Sequence, residues 1–194
     1  MLNRSDSRNK ILFTAANLFQ KQGYHATGLN QIIKESGAPK GSIYHYFPGG
    51  KEELAIESIR LTQQTLEEYI CKNLSSEPDP IQAIYDLLIK LAAEFAPDDS
   101  ARGISISLLA LETALLSEPL RKACQDAVEA WESVFAQKLL SGGFNEETAK
   151  KLSMTIHLLI EGAITLSLTK KTTAPFQIVA EQIKDLLTLY RAKK

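Results

Sequence analysis

The 194-residue sequence is poor in cysteine, proline and glycine, with 2, 7 and 10 of these residues. Neither cysteine belongs to a CxxC pair, so Cys71 and Cys124 are expected to be buried free thiols; a disulfide or redox pair is the alternative. The shortage of helix breakers, together with the absence of a polar low-complexity tract, favours an ordered protein over a disordered one.

Targeting signals and long apolar runs are missing as well. The segment from Met1 to Asp6 has no apolar signal-peptide core, and no apolar run reaches the roughly 18–20 residues that a membrane span needs. We therefore expect a cytoplasmic protein without a membrane partner.

Catalytic and metal-binding motifs are also absent. Gly49-Gly50-Lys51-Glu52 lacks the spacing of a phosphate-binding loop, and the chain has no GxSxG, HExxH or Cys/His metal pattern. His157 and Glu161 share one face of a predicted helix, where a hydrogen-bonded pair or a polar pocket anchor is favoured over a metal site. The sequence thus predicts no catalytic residue, no metal and no cofactor.

The sequence does have a marked imbalance of charge. Residues 1–51 contain seven Lys or Arg and two acidic residues, whereas the rest of the chain contains 15 and 21. A basic head on an acidic body suits a polyanion such as DNA, because neutralising phosphates releases bound counterions.

Helical periodicity covers almost the whole chain, and strand-type alternation is absent. Breaks at Gly23, Gly37 and 48–50 delimit three N-terminal helices. Further helices are expected at about 51–73, 81–95, 104–116, 118–140, 145–170 and 176–192. The predicted fold is all-α, with a three-helix helix-turn-helix DNA-binding domain at 1–50 and a helical effector-binding and dimerisation domain at 51–194.

The second and third helices are joined by the tight turn Ser36-Gly37-Ala38-Pro39, which is typical of a helix-turn-helix. The second helix of this motif enters the major groove through its N-terminal residues. Ile43 and Phe47 are expected to face the core, which leaves the polar side chains between them outside. The predicted DNA-binding residues are Thr27, Lys40, Gly41, Ser42, Tyr44, His45 and Lys51.

These residues have different predicted roles. Lys40 suits donation to guanine O6 and N7, and Gly41 lets the backbone approach a base edge. Ser42, Tyr44 and His45 carry hydroxyl or imidazole groups that can donate to phosphate oxygens. For Tyr44 and His45, the alternative is an aromatic patch in the core. Thr27 and Lys51 lie near helix N-termini, where a phosphate would be stabilised.

The segment Ile11 to Leu54 resembles the TetR family of repressors, above all in Lys40-Gly41-Ser42-Ile43-Tyr44-His45-Tyr46-Phe47. The body resembles the LmrA/YxaF-like subgroup, on Ser117-Glu118-Pro119-Leu120-Arg121, Trp131-Glu132-Ser133-Val134-Phe135-Ala136 and Ile160-Glu161-Gly162. The resemblance implies a two-domain homodimer joined through the last two helices, in which a small molecule bound in the body releases DNA.

An effector pocket is predicted between the other helices of the body. Trp131 and Phe135, one helical turn apart, suit a flat hydrophobic ligand, and ordinary core packing is the alternative for each candidate. The expected effector is a small hydrophobic molecule, aromatic ones included. The predicted lining residues are Leu87, Leu91, Phe95, Leu108, Leu111, Trp131, Phe135 and His157.

The last two helices carry apolar faces wider than one core stripe requires, which predicts that a second copy covers part of them. A two-fold pair of short recognition helices would read a palindromic double-stranded operator. The sequence therefore predicts a ligand-responsive transcriptional repressor and not an enzyme. The alternative is a small-molecule-binding helical protein or enzyme with an incidental helix-turn-helix.

Overall fold

The computed structural model describes residues 4–94 and 106–192, and all regular secondary structure within these ranges is helical. The predicted all-α class is therefore confirmed. Phe95 and residues 104–105, placed in helices by the sequence, lie outside the described residues. The helices are α1 (Arg4–Ala26), α2 (Leu29–Ser36), α3 (Ser42–Tyr46), α4 (Gly50–Leu74), α5 (Pro80–Glu94), α6 (Ser107–Thr113), α7 (Glu118–Ser141), α8 (Glu146–Lys170) and α9 (Ala174–Ala192).

Several helix boundaries follow from local chemistry. Gly23, with φ 81° and ψ 176°, interrupts α1 close to the predicted break. Gly37 ends α2 with φ 66°, a left-handed conformation that glycine adopts without steric cost. Asn145 caps α8, where its side chain accepts a hydrogen bond of 2.9 Å from the backbone N–H of Thr148.

The chain divides by packing into two compact units. The first unit comprises Met1–Gln64 and Ser105–Ala127. Within it, α1 packs against α2, α3 and α6. The core of this unit includes the buried side chains Ile11, Phe19, Ile32, Ile43, Phe47, Leu54 and Ile59.

The second unit comprises Thr65–Ile104 and Val128–Lys194, and in it α9 packs against both α5 and α8. Two of the boundaries between the units lie inside helices, one in α4 and one in α7. The predicted boundary at residue 50 separates domains by function and not by packing, and it stays a prediction. Core side chains of the second unit include Ile84, Leu87, Leu88, Trp131, Phe135, Ile156, Phe176, Ile183 and Leu187.

Both cysteines are free thiols, as expected, but they differ in exposure. Cys124 is buried, and burial raises the pKa of its thiol to about 11. Cys71 is exposed, so the expectation that it is buried is wrong. The reason is its position on α4, where Ile70 and Leu74 turn towards the core instead.

Among the described residues, α8 is long and apolar enough to cross a membrane when judged by length and composition alone. The predicted absence of a membrane partner stays a prediction. The same criterion is met by helices of protein cores. The helix α8 packs against α9, and its buried residues include Ile156, Ala163 and Ile164.

Candidate nucleic-acid interface and ligand pocket

The helix α3 is anchored to the first unit by two apolar side chains. Ile43 and Phe47 are buried, as the sequence predicted, and the guanidinium carbon of Arg8 lies 5.2 Å from the centre of the Phe47 ring. Because residues i and i+4 share one helix face, these anchors turn the intervening positions away from the core.

Five of the predicted DNA-binding residues lie on α3 or in the two positions just before it. Lys40, Gly41 and His45 are exposed, Tyr44 is 63% exposed and Ser42 is half-buried. The aromatic-core alternative for Tyr44 and His45 is therefore wrong. We call these five residues the recognition face. It presents an ammonium group, two hydroxyls and an imidazole next to a residue without a side chain.

Thr27 does not belong to this face. Its side chain is fully buried, and its hydroxyl donates a hydrogen bond of 2.7 Å to the carbonyl oxygen of Gly23. Its backbone N–H donates to the carbonyl oxygen of Tyr24. The predicted phosphate contact is thus wrong for the conformation described, because both donors are satisfied within the fold and the hydroxyl is closed to a ligand.

Lys51 is half-buried at the start of α4, with its ammonium nitrogen 4.3 Å from the centre of the Tyr24 ring. Burial lowers the pKa of this ammonium, against an opposing effect of the Glu112 carboxylate. The Glu53 carboxylate accepts a hydrogen bond of 2.7 Å from the N–H of Gly49, so protein already occupies part of this helix end. A phosphate contact by Lys51 stays a prediction.

The second unit contains a pocket that brings together five of the eight predicted effector-binding residues. They lie on three helices, and the space between the lining residues is about 390 Å³, including the part open to solvent. The predicted members are Leu87, Leu91, Trp131, Phe135 and His157, and they are joined by Leu66, Ile70, Ile160 and Glu161.

The pocket is lined mainly by apolar side chains, and its two large aromatic side chains are buried. Trp131 and Phe135 are each 1% exposed, and the Trp131 ring stacks on the His157 imidazole with ring centres 6.0 Å apart. His157 and Glu161, one turn apart on α8, supply its polar groups. In the described part of the chain, no three His, Cys, Asp or Glu side chains are grouped to hold a metal.

Three predicted pocket residues are not in this pocket. Leu111 is 82% exposed, and Leu108 lines a small cleft of the first unit, so neither side chain lies with the other five. The reason is the orientation of α6, which buries Leu109 and Thr113 instead. Phe95 lies outside the described residues.

Sequence reasoning missed Leu66, Ile70 and Ile160 as lining residues, whereas it named Glu161 with His157 as a hydrogen-bonded pair or a polar pocket anchor. Leu66 and Ile70 lie one turn apart on α4, and Ile160 and Glu161 follow His157 on α8. The spacing of i and i+4 marks a shared face in both cases. Such spacing does not reveal which neighbouring helix each face meets, because that depends on tertiary packing.

The fold and the recognition face define a helix-turn-helix DNA-binding regulator of transcription. Residues 11–57 match the family described as bacterial regulatory proteins, tetR family. Residues 80–182 match the C-terminal domain of LmrA/YxaF-like transcriptional regulators. The chain therefore belongs to the TetR family, with a C-terminal domain of the LmrA/YxaF-like type, as its sequence motifs predicted.

Similarity to known regulators extends over most of the chain. The HTH-type transcriptional regulator YxaF of Bacillus subtilis is 54% identical over 187 residues, which cover 96% of this chain and 98% of that protein. LmrA of the same organism is 47% identical, with 94% of this chain and 97% of that protein covered.

A solved structure supports the fold. The crystal structure of Escherichia coli NemR in its reduced form has a TM-score of 0.79 and 20% sequence identity, covering 92% of this chain and 96% of that chain. NemR is named a transcriptional repressor, and in direct sequence comparison it is 27% identical over 144 residues, 72% of this chain and 70% of that protein.

Proposed function

We propose that this regulator is a ligand-responsive repressor that binds a palindromic operator as a homodimer and is released by a small hydrophobic effector. The observation that carries the proposal is the recognition face, a polar and basic surface held outward by buried Ile43 and Phe47. A separate aromatic pocket in the second unit supports the response to a ligand. The repressor name of NemR supports repression in preference to activation.

On the recognition face, Lys40 is proposed to donate to guanine O6 or N7, and Gly41 to let the backbone approach the base edges. Ser42, Tyr44 and His45 are proposed to donate to phosphate oxygens, which fix the orientation of the helix on the duplex.

The experiment that tests this function is selection of bound sequences from a random pool of DNA duplexes. The proposal expects enrichment of a palindrome whose half-sites are separated by about one helical turn or a multiple of it. Enrichment of a single non-repeated site would contradict the two-fold arrangement. Failure to enrich any sequence would contradict operator recognition, which is the result that the alternative of an incidental helix-turn-helix expects.

The proposed dimer uses α8 and α9, which pack against each other and keep large apolar side chains exposed. Met154 and Leu158 are one turn apart on α8, and Leu158 is 65% exposed. On α9, Ile178 and Leu189 are also exposed. Burial of such a surface against a second copy would stabilise the dimer by the hydrophobic effect.

We predict that Leu158→Glu shifts the protein from dimer to monomer, because the proposed interface would bury an unpaired carboxylate. Sedimentation equilibrium measures this shift. The matched control is Leu140→Glu, at an exposed position near the end of α7 in the same unit, which is expected to stay dimeric. A Leu158→Glu protein that sediments as a dimer would contradict the proposed interface.

The proposed effector site is the pocket around Trp131 and Phe135. The Trp131 ring stacked on the His157 imidazole, with the Phe135 ring and the Glu161 carboxylate also lining the pocket, suits a flat hydrophobic molecule that carries a hydrogen-bonding group. Because Trp131 is the single tryptophan of the chain, a ligand entering the pocket would change the intrinsic fluorescence of the protein. Planar aromatic compounds that quench this fluorescence and release DNA are the expected effectors.

The proposed switch is a shift between two populations. The ligand binds the DNA-incompetent state more tightly, and α4 carries the change because it contributes Leu66 and Ile70 to the pocket and begins next to the helix-turn-helix. Moving the equilibrium from 1:99 to 99:1 requires about 5.5 kcal/mol of differential affinity.

A regulator of this kind acts where the chromosome lies, so we place the protein in the cytoplasm. We assign residues 1–50 to the DNA-binding domain and residues 51–194 to the effector and dimerisation domain.

A further inference from the structure

The Glu112 carboxylate, on α6, lies against the kink of α1. Its Oε2 atom accepts hydrogen bonds from the backbone N–H of Tyr24 and, at 3.1 Å, from the N–H of His25. Successive backbone N–H groups that point to one side form a nest for an anion. We call this contact between the carboxylate and the two N–H groups the Glu112 latch. It joins residues 87 and 88 positions apart in the sequence.

Gly23 makes room for the latch. Its φ of 81° lies in the left-handed region, which residues with a side chain rarely adopt. A Cβ atom at this position would lie 2.4 and 2.6 Å from the two carboxylate oxygens of Glu112. Glycine at position 23 therefore serves both the backbone conformation and the close approach of the carboxylate.

A lysine side chain contacts Tyr24, one of the two residues that donate to Glu112. The Lys51 ammonium lies over the Tyr24 ring, and Glu112 acts on it electrostatically. Beyond α6, the Ser117 hydroxyl donates to the carboxylate of Glu52. The segment 112–117 is thus tied to α1 at the latch and to the first turn of α4.

The kink is connected firmly to the start of α2. The Thr27 hydroxyl donates to the Gly23 carbonyl oxygen at 2.7 Å, and the Gln22 side-chain amide donates to the Gln31 side chain at 2.9 Å. A shift of the kink would therefore move α2, and α3 follows α2 after a turn of five residues.

We propose that Glu112 is a positioning residue for DNA recognition: by holding the kink of α1, its carboxylate fixes the orientation in which α2 and α3 present the recognition face. This inference rests on the proposed function. It assigns a role in DNA binding to a residue of the stretch that matches the C-terminal family domain.

The test compares Glu112→Ala and Glu112→Gln with wild type, using the full chain and a duplex selected by wild type. Loss of hydrogen bonds to a charged acceptor predicts about tenfold weaker DNA binding by Glu112→Ala. Amide exchange at Tyr24 and His25 is expected to accelerate, while that of α8 and α9 is unchanged. Glu112→Gln keeps an acceptor oxygen and is expected to recover most of the affinity, which a loss of packing alone would not explain.

Glu118→Ala is the matched control, because Glu118 pairs with Arg121 on its own helix. Its affinity is expected to equal that of wild type. Gly23→Ala would place a Cβ atom where the Glu112 carboxylate lies. This variant is expected to weaken DNA binding as Glu112→Ala does. If Glu112→Ala binds the selected duplex with wild-type affinity, this inference alone is overturned. If wild type enriches no duplex, the proposed function fails, and amide exchange at Tyr24 then reports on the latch separately.

Discussion

Replacement of Trp131 by alanine is expected to lower the free energy of unfolding by about 3–5 kcal/mol, the usual cost of removing a large aromatic side chain from a core. Trp131 is 1% exposed and stacks on His157, so its removal leaves a cavity that surrounding helices fill only in part. Urea denaturation followed by circular dichroism measures the change, since the variant has no tryptophan fluorescence.

Two comparisons make this result specific. Trp131→Phe keeps an aromatic ring and is expected to cost less than the alanine variant. Leu140→Ala, at an exposed position on the same helix, is expected to cost under about 1 kcal/mol. A Trp131→Ala protein as stable as Leu140→Ala would mean that Trp131 is not part of a packed pocket wall.

Replacement of Lys40 by alanine is expected to weaken binding to the selected duplex by about 1–3 kcal/mol, which is roughly 5- to 150-fold, and to relax the preference at one base pair of each half-site. Lys40 is exposed at the N-terminal edge of the recognition face, where its ammonium is open to a base. Fluorescence anisotropy with the selected duplex and with single-base variants measures both effects.

Lys34→Ala is the matched control for charge. Lys34 is an exposed lysine on α2, outside the recognition face. Its loss is expected to reduce the salt dependence at most and to leave the base preference unchanged, since phosphate contacts carry no sequence information directly. Equal base preference in wild type and Lys40→Ala would contradict the role proposed for Lys40.

The helix-turn-helix could be predicted from the sequence because its signals are local. Gly37 marks the end of α2, and the spacing of Ile43 and Phe47 determines which side of α3 is buried. The exposure of Lys40 and Tyr44 then follows from helical periodicity alone. These features need no knowledge of the rest of the chain.

The errors lie where tertiary contacts decide. A threonine near a helix start suits either a phosphate or an internal acceptor, and Thr27 uses the Gly23 carbonyl oxygen. The helix α6 has apolar residues on several sides, and the sequence does not reveal that Leu109, not Leu111, faces the core. The Glu112 latch was equally hidden, because its partners are 87 and 88 residues away.

The central claim is that the recognition face reads bases in the major groove, and guanine methylation interference tests it most directly. Dimethyl sulfate methylates guanine at N7, an acceptor that lies in the major groove. Methylation of at least one guanine in each half-site is expected to block wild-type binding, and this interference is expected to disappear for Lys40→Ala. Wild-type binding that is unaffected by N7 methylation anywhere in the selected duplex would contradict the claim.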